Sequence, residues 1–195
     1  MGQVLGPGDR LPAPPHRVIV AGASGAGKTT LAAAIGRLAG LPHIEIDALF
    51  HGPDWTPRPE FEADVLSFAS GPSWVTEWQY DVARPLLLER ADLLVWLDLS
   101  RGLVLRQVVR RTLVRRLRRV ELWNGNREQP LWRIFTDREH IVRWAWTTHG
   151  RTGPRVLRAQ QDRPGLPVVR LRSRSHVRSW LQGPLRDAAE PPAHG

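Results

Sequence analysis

The sequence predicts an α/β fold in which a five-stranded parallel sheet lies between two layers of helices. Short apolar, β-branched segments alternate with amphipathic segments along most of the 195 residues, and this alternation is typical of a parallel sheet covered on both faces. The first predicted strand, residues 17–21, leads into a glycine-rich stretch at residues 22–29 and then into an alanine-rich helix. Strand, glycine loop and helix in that order are typical of nucleotide-binding α/β domains.

The remaining elements follow from the hydrophobic pattern and from the turn residues between the segments. Five short apolar runs are predicted as strands: residues 17–21, 43–46, 74–77, 93–98 and 168–171. Helices are predicted where the composition or the spacing of apolar residues is helical: residues 30–39, 59–69, 85–91, 102–120, 136–146 and 174–181, the last capped by Ser173. Glycine, proline and aromatic residues in the stretch 48–56 predict a loop.

Both ends of the chain are predicted to be flexible, which leaves residues 16–182 as one domain. Residues 1–15 are rich in glycine and proline and lack the basic start and apolar centre of a signal peptide, and residues 183–195 have a similar composition. No run of about 18 apolar residues is present to span a membrane. Without cysteine, a disulfide framework is excluded. We therefore expect a cytoplasmic protein with no membrane partner.

The glycine-rich stretch fits the phosphate-binding (Walker A) pattern G-x-x-x-x-G-K-[ST] at every constrained position and predicts a P-loop NTPase fold. Lysine and arginine together number 28, and Lys28 is the only lysine. A compact ammonium can bridge phosphate oxygens for which a planar guanidinium is too broad. We predict that this loop binds ATP and that the Thr29 hydroxyl binds Mg²⁺. The predicted nucleotide-binding residues are Gly22, Ala23, Ser24, Gly25, Ala26, Gly27, Lys28, Thr29 and Thr30.

Three carboxylates, Asp47, Glu77 and Asp98, end or follow predicted strands. Because the carboxyl ends of parallel strands meet at one edge of the sheet, we expect these side chains near the phosphate loop. There Asp47 can orient or deprotonate an acceptor hydroxyl, or hold Mg²⁺ through water. A capping aspartate is the alternative. For Asp98 the sequence leaves two interpretations open, a metal-linked carboxylate and a structural cap of its strand.

Further motifs carry a family resemblance: Ile46-Asp47-Ala48-Leu49-Phe50, Asp54-Trp55, Trp74-Val75 with Tyr80, Val95-Trp96-Leu97-Asp98-Leu99 and Arg110-Arg111. In order and spacing they resemble the topology-modulation-protein group of adenylate-kinase-related P-loop kinases, from about residue 17 to residue 181. The resemblance implies a nucleoside-monophosphate-kinase-like or shikimate-kinase-like fold that uses ATP and Mg²⁺. It implies no particular acceptor.

The resemblance also implies that Glu77 contacts Mg²⁺ through water and that about residues 48–72 form an insertion on the acceptor side. After the third strand the family usually has Asp-Gly-Asn-Tyr, whereas this chain reads Glu77-Trp78-Gln79-Tyr80. Trp78 puts a large ring where the family has glycine, so the expected shape of the acceptor loop changes. Ser100-Arg101 in place of Pro-Arg after the fourth strand is a minor departure.

The predicted helix 102–120 is strongly basic, because eight arginines lie between Arg101 and Arg119. By the resemblance, Arg110, Arg111 and Arg115 belong to an arginine-rich helical lid at about residues 110–150. Arginines of a lid can neutralise the charge that develops on a phosphoryl group during transfer. A solvated basic face is the alternative interpretation.

Together these features predict a kinase that moves the γ-phosphoryl group of ATP to an unidentified small molecule or nucleotide. The predicted catalytic residues are Lys28, Asp47, Arg111 and Arg115. The expected partners are a nucleoside triphosphate and a small-molecule acceptor. A second hypothesis is a nucleotide-controlled regulatory NTPase that binds nucleic acid through the basic helix 101–119.

Overall fold

The computed structural model describes residues 4–117 and 149–189, and the side chains of residues 54, 111–117 and 149 lie outside that description. In the described part, six parallel strands form one sheet in the order β1-β6-β5-β2-β4-β3. The strands are β1 (Val4–Leu5), β2 (Arg17–Gly22), β3 (His43–Ile44), β4 (Trp74–Glu77), β5 (Leu93–Leu97) and β6 (Val168–Leu171). The strand that leads into the glycine loop, β2, therefore lies between β4 and β5.

Eight α-helices are described on the two faces of this sheet and at its ends. They are α1 (Lys28–Ala39), α2 (Ile46–Phe50), α3 (Phe61–Ala69), α4 (Ala83–Arg90), α5 (Arg101–Leu117), α6 (Thr152–Asp162), α7 (Arg174–Gln182) and α8 (Pro184–Ala189). Short 3-10 turns occupy Pro53–Trp55 and His149–Arg151. None of the described helices combines the length and the apolar character that crossing a membrane requires.

The sheet separates two hydrophobic clusters, as the three-layer prediction requires. Val18 and Val20 of β2 point into one cluster, which α1, α5, α7 and α8 cover, while Ile19 points into the other, which α3, α4 and α6 cover. All three side chains are fully buried. A strand that is apolar on both faces can only be stable between two helical layers. The predicted α/β fold with a parallel sheet is confirmed.

Both termini contain secondary structure that the sequence did not predict. Val4 and Leu5 add a sixth strand at the edge of the sheet, opposite Val168 and Val169, and Leu5 is buried. After α7 the chain forms α8, whose Leu185 is fully buried in the cluster next to α1. Each segment is short and contributes few apolar side chains. The sequence pattern therefore did not predict these elements, because so short a segment shows no hydrophobic periodicity. The prediction of five strands is corrected to six.

The segment after β3 is also more regular than predicted. The strand ends at Ile44 rather than at Ile46, and α2 begins at Ile46 in place of the predicted loop. The reason is a tertiary cap, since the backbone N–H of Ile46 donates to the carboxylate of Glu77 on β4 at 3.2 Å. A helix N-terminus needs acceptors for its first N–H groups, and this acceptor comes from another strand.

Two further outcomes concern the second half of the chain. Helix α6, from Thr152 to Asp162, was not predicted. The cap of α7 is confirmed, because the Ser173 hydroxyl oxygen accepts the backbone N–H of His176 at 3.1 Å. The predicted helix 136–146 and residues 118–148 of the predicted lid lie outside the described residues.

Candidate active site

The glycine loop between β2 and α1 has the backbone conformation of an anion-binding site. Gly25 and Gly27 adopt positive φ angles of 78° and 98°, in the left-handed region that favours glycine. Helix α1 begins directly at Lys28, and Gly27, which has no side chain, occupies the N-cap position. The first N–H groups and the positive end of the helix dipole therefore face the loop, where an anion is stabilised.

Lys28 lies across the loop instead of extending into solvent. Its side chain is buried, and the ammonium donates to the carbonyl oxygen of Ala23 at 3.3 Å. Burial of a lysine is unfavourable unless its charge has polar partners. Held in this way, the ammonium stands beside the loop backbone, which is where a P-loop lysine contacts phosphate oxygens.

Helix α5 packs directly against the phosphate loop. A Cβ atom on Gly25 would lie 2.0 Å from Cγ2 of Val108, and one on Gly27 would lie 3.9 Å from Oε1 of Gln107. Gly25 is thus required both by its positive φ and by the close approach of α5. Because α5 is the helix that leads towards the predicted lid, the base of that region and the phosphate loop are in contact.

Glu77, at the end of β4, is the most buried acidic side chain of the described part of the chain and is linked to the phosphate loop. It is 1% exposed. Its carboxylate contacts Nε2 of His43 at 3.3 Å, accepts the backbone N–H of Ile46 at 3.2 Å, and accepts the hydroxyl of Thr29. Burial alone raises the pKa of Glu77, but the hydrogen bonds from His43, Ile46 and Thr29 outweigh it and lower the pKa below its ordinary value.

This pair of residues fits a magnesium ion bound with a nucleotide. A threonine hydroxyl is a hard oxygen ligand, and a buried, ionised carboxylate hydrogen-bonded to it can hold a metal-bound water. Thr29 lies in the first turn of α1 and Glu77 at the carboxyl end of β4, which pairs with β2 through Val20 and Glu77. The donor set of Thr29 and Glu77 is therefore suited to Mg²⁺.

Asp47 lies in the first turn of α2, not at a strand end as predicted. Its oxygen Oδ1 accepts two hydrogen bonds, one from Nε2 of Gln79 at 2.8 Å and one from the hydroxyl of Tyr80 at 2.6 Å. Gln79 and Tyr80 lie two and three residues after Glu77 in the chain. The segment after β4 thus joins the carboxylate of α2 to the end of the sheet that bears the phosphate loop.

Tyr80 is held by an aromatic cluster and by an unusual backbone conformation. Its ring stacks on Phe50, with centroids 3.9 Å apart and an angle of 20°, and meets the edge of Phe61 at 5.2 Å. Its φ is 58°, a conformation that costs a bulky residue roughly 1–3 kcal/mol. Burial, followed by the negative charge of Asp47, raises the pKa of the phenol, so Tyr80 remains a hydrogen-bond donor at physiological pH.

Trp78, the large departure from the family pattern, packs into the core. The side chain is buried in the cluster beneath α3 and α4, and its indole N–H donates to the carbonyl oxygen of Arg84 at 3.0 Å. The ring therefore fills space on the helical face of the sheet. Gln79 and Tyr80, the next two residues, are instead the ones that contact Asp47.

The contacts of Asp98 bear on its two interpretations, a metal-linked carboxylate and a structural cap of its strand. It accepts hydrogen bonds from Nε and Nη2 of Arg170 at 2.8 and 2.6 Å. The guanidinium of Arg170 also lies 4.4 Å from the ring centroid of Trp96, a favourable cation–π distance. These contacts tie β5 to β6 and favour the structural interpretation of Asp98.

The predicted lid arginines are only partly covered by the described residues. Arg110 is an exposed residue of α5. Arg111 and Arg115 belong to the same helix, but their side chains lie outside the described residues. Their catalytic assignment stays a prediction.

Sequence reasoning missed three polar residues of this region, His43, His51 and Gln79, and assigned no role to Tyr80. His43 contacts Glu77, while Nε2 of His51 lies 3.2 Å from the Tyr80 hydroxyl. The histidines show no metal-ligand spacing, so only their tertiary contacts identify them. Tyr80 is the only tyrosine of the chain. Its position shortly after β4 matches the motif noted in the sequence, and this was the one signal that could have identified it.

The parallel sheet, with its helices and the phosphate loop after β2, has the fold of solved P-loop kinases. A gluconokinase from Sinorhizobium meliloti 1021 is 22% identical, with a TM-score of 0.51 over 90% of this chain and 95% of that chain. A shikimate kinase from Acinetobacter baumannii in complex with shikimate is 15% identical, with a TM-score of 0.49 over 89% and 88% of the two chains.

A shikimate kinase from Bacteroides thetaiotaomicron is 17% identical, with a TM-score of 0.45 over 86% of this chain and 95% of that chain. No family model and no curated protein matches the sequence. The likeness to the gluconokinase, at 22% identity, establishes the fold alone. The resemblance to the topology-modulation-protein group stays a prediction.

Proposed function

We propose that the protein is a kinase that uses ATP and Mg²⁺ to phosphorylate a hydroxyl group of a small acceptor. The observation that carries this proposal is a pair of carboxylates, of which one contacts the phosphate loop and the other contacts the segment after β4. Glu77 is hydrogen-bonded to Thr29 of the loop, and Asp47 is held by the residues that follow Glu77. One carboxylate is thus suited to the metal, and the other to the acceptor.

On the donor side, the chain's own residues bind and orient the triphosphate. Lys28 and the backbone N–H groups of the glycine loop would hold the phosphate oxygens. Thr29 would hold Mg²⁺ directly and Glu77 would hold it through water. When bound, Mg²⁺ would neutralise charge on the phosphates and so assist the departure of ADP. The low pKa of Glu77 keeps its carboxylate ionised for this purpose.

On the acceptor side, Asp47 would accept the proton of the acceptor hydroxyl or orient it towards the γ-phosphorus. A general base must lie within hydrogen-bond reach of the proton that it takes. Asp47 sits at the end of the sheet where open α/β folds bind ligands. The lid arginines, Arg111 and Arg115, would supply positive charge as the phosphoryl group transfers.

A screen of acceptors with γ-labelled ATP tests this proposal. Nucleosides, nucleoside monophosphates and hydroxylated metabolites are offered in turn, and the position of the label is followed. We expect the label on one acceptor class, with no transfer by Lys28→Ala. Release of the label as inorganic phosphate alone, whatever acceptor is present, would contradict a kinase.

The nucleic-acid hypothesis stays a separate prediction. It depends on the basic helix, of which the side chains beyond Arg110 lie outside the described residues. Binding of this kind weakens steeply with salt, because counterions are released from the phosphates. A titration of labelled DNA and RNA at several salt concentrations, with and without ATP, tests it. If neither DNA nor RNA binds under any of these conditions, the nucleic-acid hypothesis is wrong.

A further inference from the structure

We propose that Tyr80 is a positioning residue of the transfer reaction: with Gln79 it holds one oxygen of Asp47 and leaves the second oxygen for the acceptor hydroxyl. This inference rests on the kinase function proposed above. It identifies which residues make Asp47 an oriented base, and it explains why a tyrosine occupies a strained backbone position beside that carboxylate.

The first support is the arrangement of hydrogen bonds on Asp47. Both donors converge on Oδ1, the Tyr80 hydroxyl at 2.6 Å and the Gln79 amide at 2.8 Å. Among the residues that the structure describes, none donates a hydrogen bond to Oδ2. Two donors on one oxygen fix the plane of the carboxylate, and each carboxylate oxygen can accept on its own. The reactive oxygen is therefore Oδ2.

The direction of the protons gives the second support. An ionised carboxylate can only accept, and a phenol has one proton, so Tyr80 must donate to Asp47. The hydroxyl oxygen of Tyr80 is then left as the acceptor for Nε2 of His51, at 3.2 Å. His51 consequently carries its proton on Nε2. The chain of donors runs from His51 through Tyr80 to Asp47.

The third support is the rigidity of the Tyr80 side chain. Its ring lies between Phe50, on which it stacks, and the edge of Phe61. Its left-handed backbone turns the ring back towards α2 directly after β4. Burial and the charge of Asp47 raise the pKa of the phenol, so the donor persists across the working pH range. A positioning group needs this kind of fixed geometry.

The chemical step that these residues serve is balanced as follows. The oxygen of the acceptor hydroxyl forms a bond to the γ-phosphorus of ATP, while the bond between that phosphorus and the bridging β,γ oxygen breaks. ADP leaves with the bonding electrons. The hydroxyl proton passes to Oδ2 of Asp47 and then to solvent. Tyr80 keeps its own proton throughout.

The test is a double-mutant cycle of Tyr80→Phe and Asp47→Asn. Its kinetics are measured with the acceptor that the γ-labelled ATP screen identifies. Tyr80→Phe keeps the ring stacking and removes the hydroxyl. We expect kcat to fall about 10- to 100-fold, while the KM for ATP stays within about twofold because the donor side is unchanged. In an Asp47→Asn background, Tyr80→Phe is expected to change kcat by less than about twofold, because its effect acts through Asp47.

Thr76→Val is the matched control. The Thr76 hydroxyl is buried in β4 and donates to the carbonyl oxygen of Ile44 at 2.7 Å, so the variant also loses a hydroxyl hydrogen bond near the site. We expect it to lower thermal stability and to leave kcat unchanged. If Tyr80→Phe does not fold, Gln79→Leu replaces it in the cycle, with an expected fall in kcat of several-fold because one of two donors remains.

The outcomes separate this inference from the proposed function. If the wild type labels an acceptor and folded Tyr80→Phe and Gln79→Leu turn over normally, the inference is wrong and the kinase function stands. The inference is also overturned if Tyr80→Phe lowers kcat by the same factor in the Asp47→Asn background as in the wild type. A fall in kcat of the same size in Thr76→Val would overturn it too. Label in inorganic phosphate alone overturns the kinase function, and this inference with it.

Discussion

The two halves of the candidate site are built in different ways. The donor half consists of the glycine loop, with Lys28 and Thr29, and of Glu77, which is 1% exposed. The acceptor half consists of half-buried side chains from α2 and from the segment after β4, with Asp47 and Tyr80 at its centre. A short stretch of backbone determines the donor half except for Glu77, which comes from β4, whereas tertiary contacts assemble the whole acceptor half.

This difference agrees with what each half would have to recognise under the proposed function. Triphosphate and Mg²⁺ have the same shape and charge in every reaction of this kind, so glycines, a lysine and a hydroxyl at fixed spacing suffice. An acceptor varies in shape, and a site for it has to be adapted by side chains from several elements. The variants below alter one half at a time and thereby test whether the two halves act separately.

Lys28→Ala is expected to have the largest effect, because it removes the only lysine from the phosphate loop. Transfer should fall by about 10³-fold or more, since a preorganised positive charge on the phosphoryl oxygens is lost. ATP binding, measured by titration in the presence of Mg²⁺, should weaken as well. Lys28→Arg is the control: it restores the charge without the compact shape, and we expect little recovery. Normal ATP binding by Lys28→Ala would contradict the assignment.

Asp47→Asn is expected to lower transfer by about 10²–10⁴-fold, the usual contribution of a general base. The change removes the base from the acceptor half and leaves the glycine loop intact, so the Kd for ATP should stay unchanged. Steady-state kinetics and nucleotide titration measure the two quantities. If ATP binding falls together with transfer, the two halves are not separate.

Gly25→Ala tests the contact between the phosphate loop and α5. The positive φ and the 2.0 Å approach to Val108 together predict a loss of about 2–4 kcal/mol in the free energy of unfolding. Gly102→Ala is the matched control, because nothing lies within 4 Å of the added methyl group, and it should gain about 0.5–1 kcal/mol. Combining Gly25→Ala with Val108→Ala should cost less than the sum of the single changes, as urea unfolding would measure.

Glu77→Gln tests the metal side through its pH dependence. The pKa of Glu77 is lower in the folded protein than its ordinary value of 4.5. The ionised form therefore adds stability that is complete above that value and is lost as the pH falls towards the folded pKa. Urea unfolding from about pH 7 to about pH 3 should show the advantage of the wild type over Glu77→Gln shrinking below about pH 4.5. A constant difference would contradict an ionised Glu77.

The same variant should need more Mg²⁺ for half-maximal ATP binding, by about tenfold, since a charged hydrogen-bond acceptor is lost from the metal's surroundings. Titration of Mg²⁺ at fixed ATP measures this. An unchanged Mg²⁺ requirement would assign Glu77 to structure alone, as the cap of α2.

Asp98→Asn is expected to have the smallest effect. Its ion pair with Arg170 is partly exposed, with side chains 28% and 33% accessible, and such pairs contribute about 1 kcal/mol or less. Thermal unfolding should detect a small loss, and kcat should stay unchanged. A large loss of activity at normal stability would restore Asp98 as a metal-linked carboxylate.

The sequence was sufficient for the parts of the molecule that depend on local pattern. Strands β2, β4, β5 and β6 were predicted to within a residue, because each is a continuous apolar run with turn residues on both sides. The glycine loop was predicted from its motif, and its strand–loop–helix setting is confirmed. The cap of α7 by Ser173 was readable for the same reason, since cap and helix are adjacent in the chain.

Tertiary contacts explain what the sequence could not predict. Helix α2 begins where Glu77, 31 residues away from Ile46, accepts its first N–H, and no local pattern encodes such a cap. Leu185 is buried on the six-residue helix α8, which packs against α1. The convergence of Gln79 and Tyr80 on Asp47 depends on a left-handed tyrosine, a conformation that sequence statistics disfavour.

The transfer of label from γ-labelled ATP, compared between the wild type, Lys28→Ala and Asp47→Asn, tests the central claim most directly. The account predicts that the wild type labels a hydroxylated small acceptor, that neither variant does so, and that Asp47→Asn still binds ATP with normal affinity. Label found only in inorganic phosphate, or normal acceptor labelling by Asp47→Asn, would contradict it.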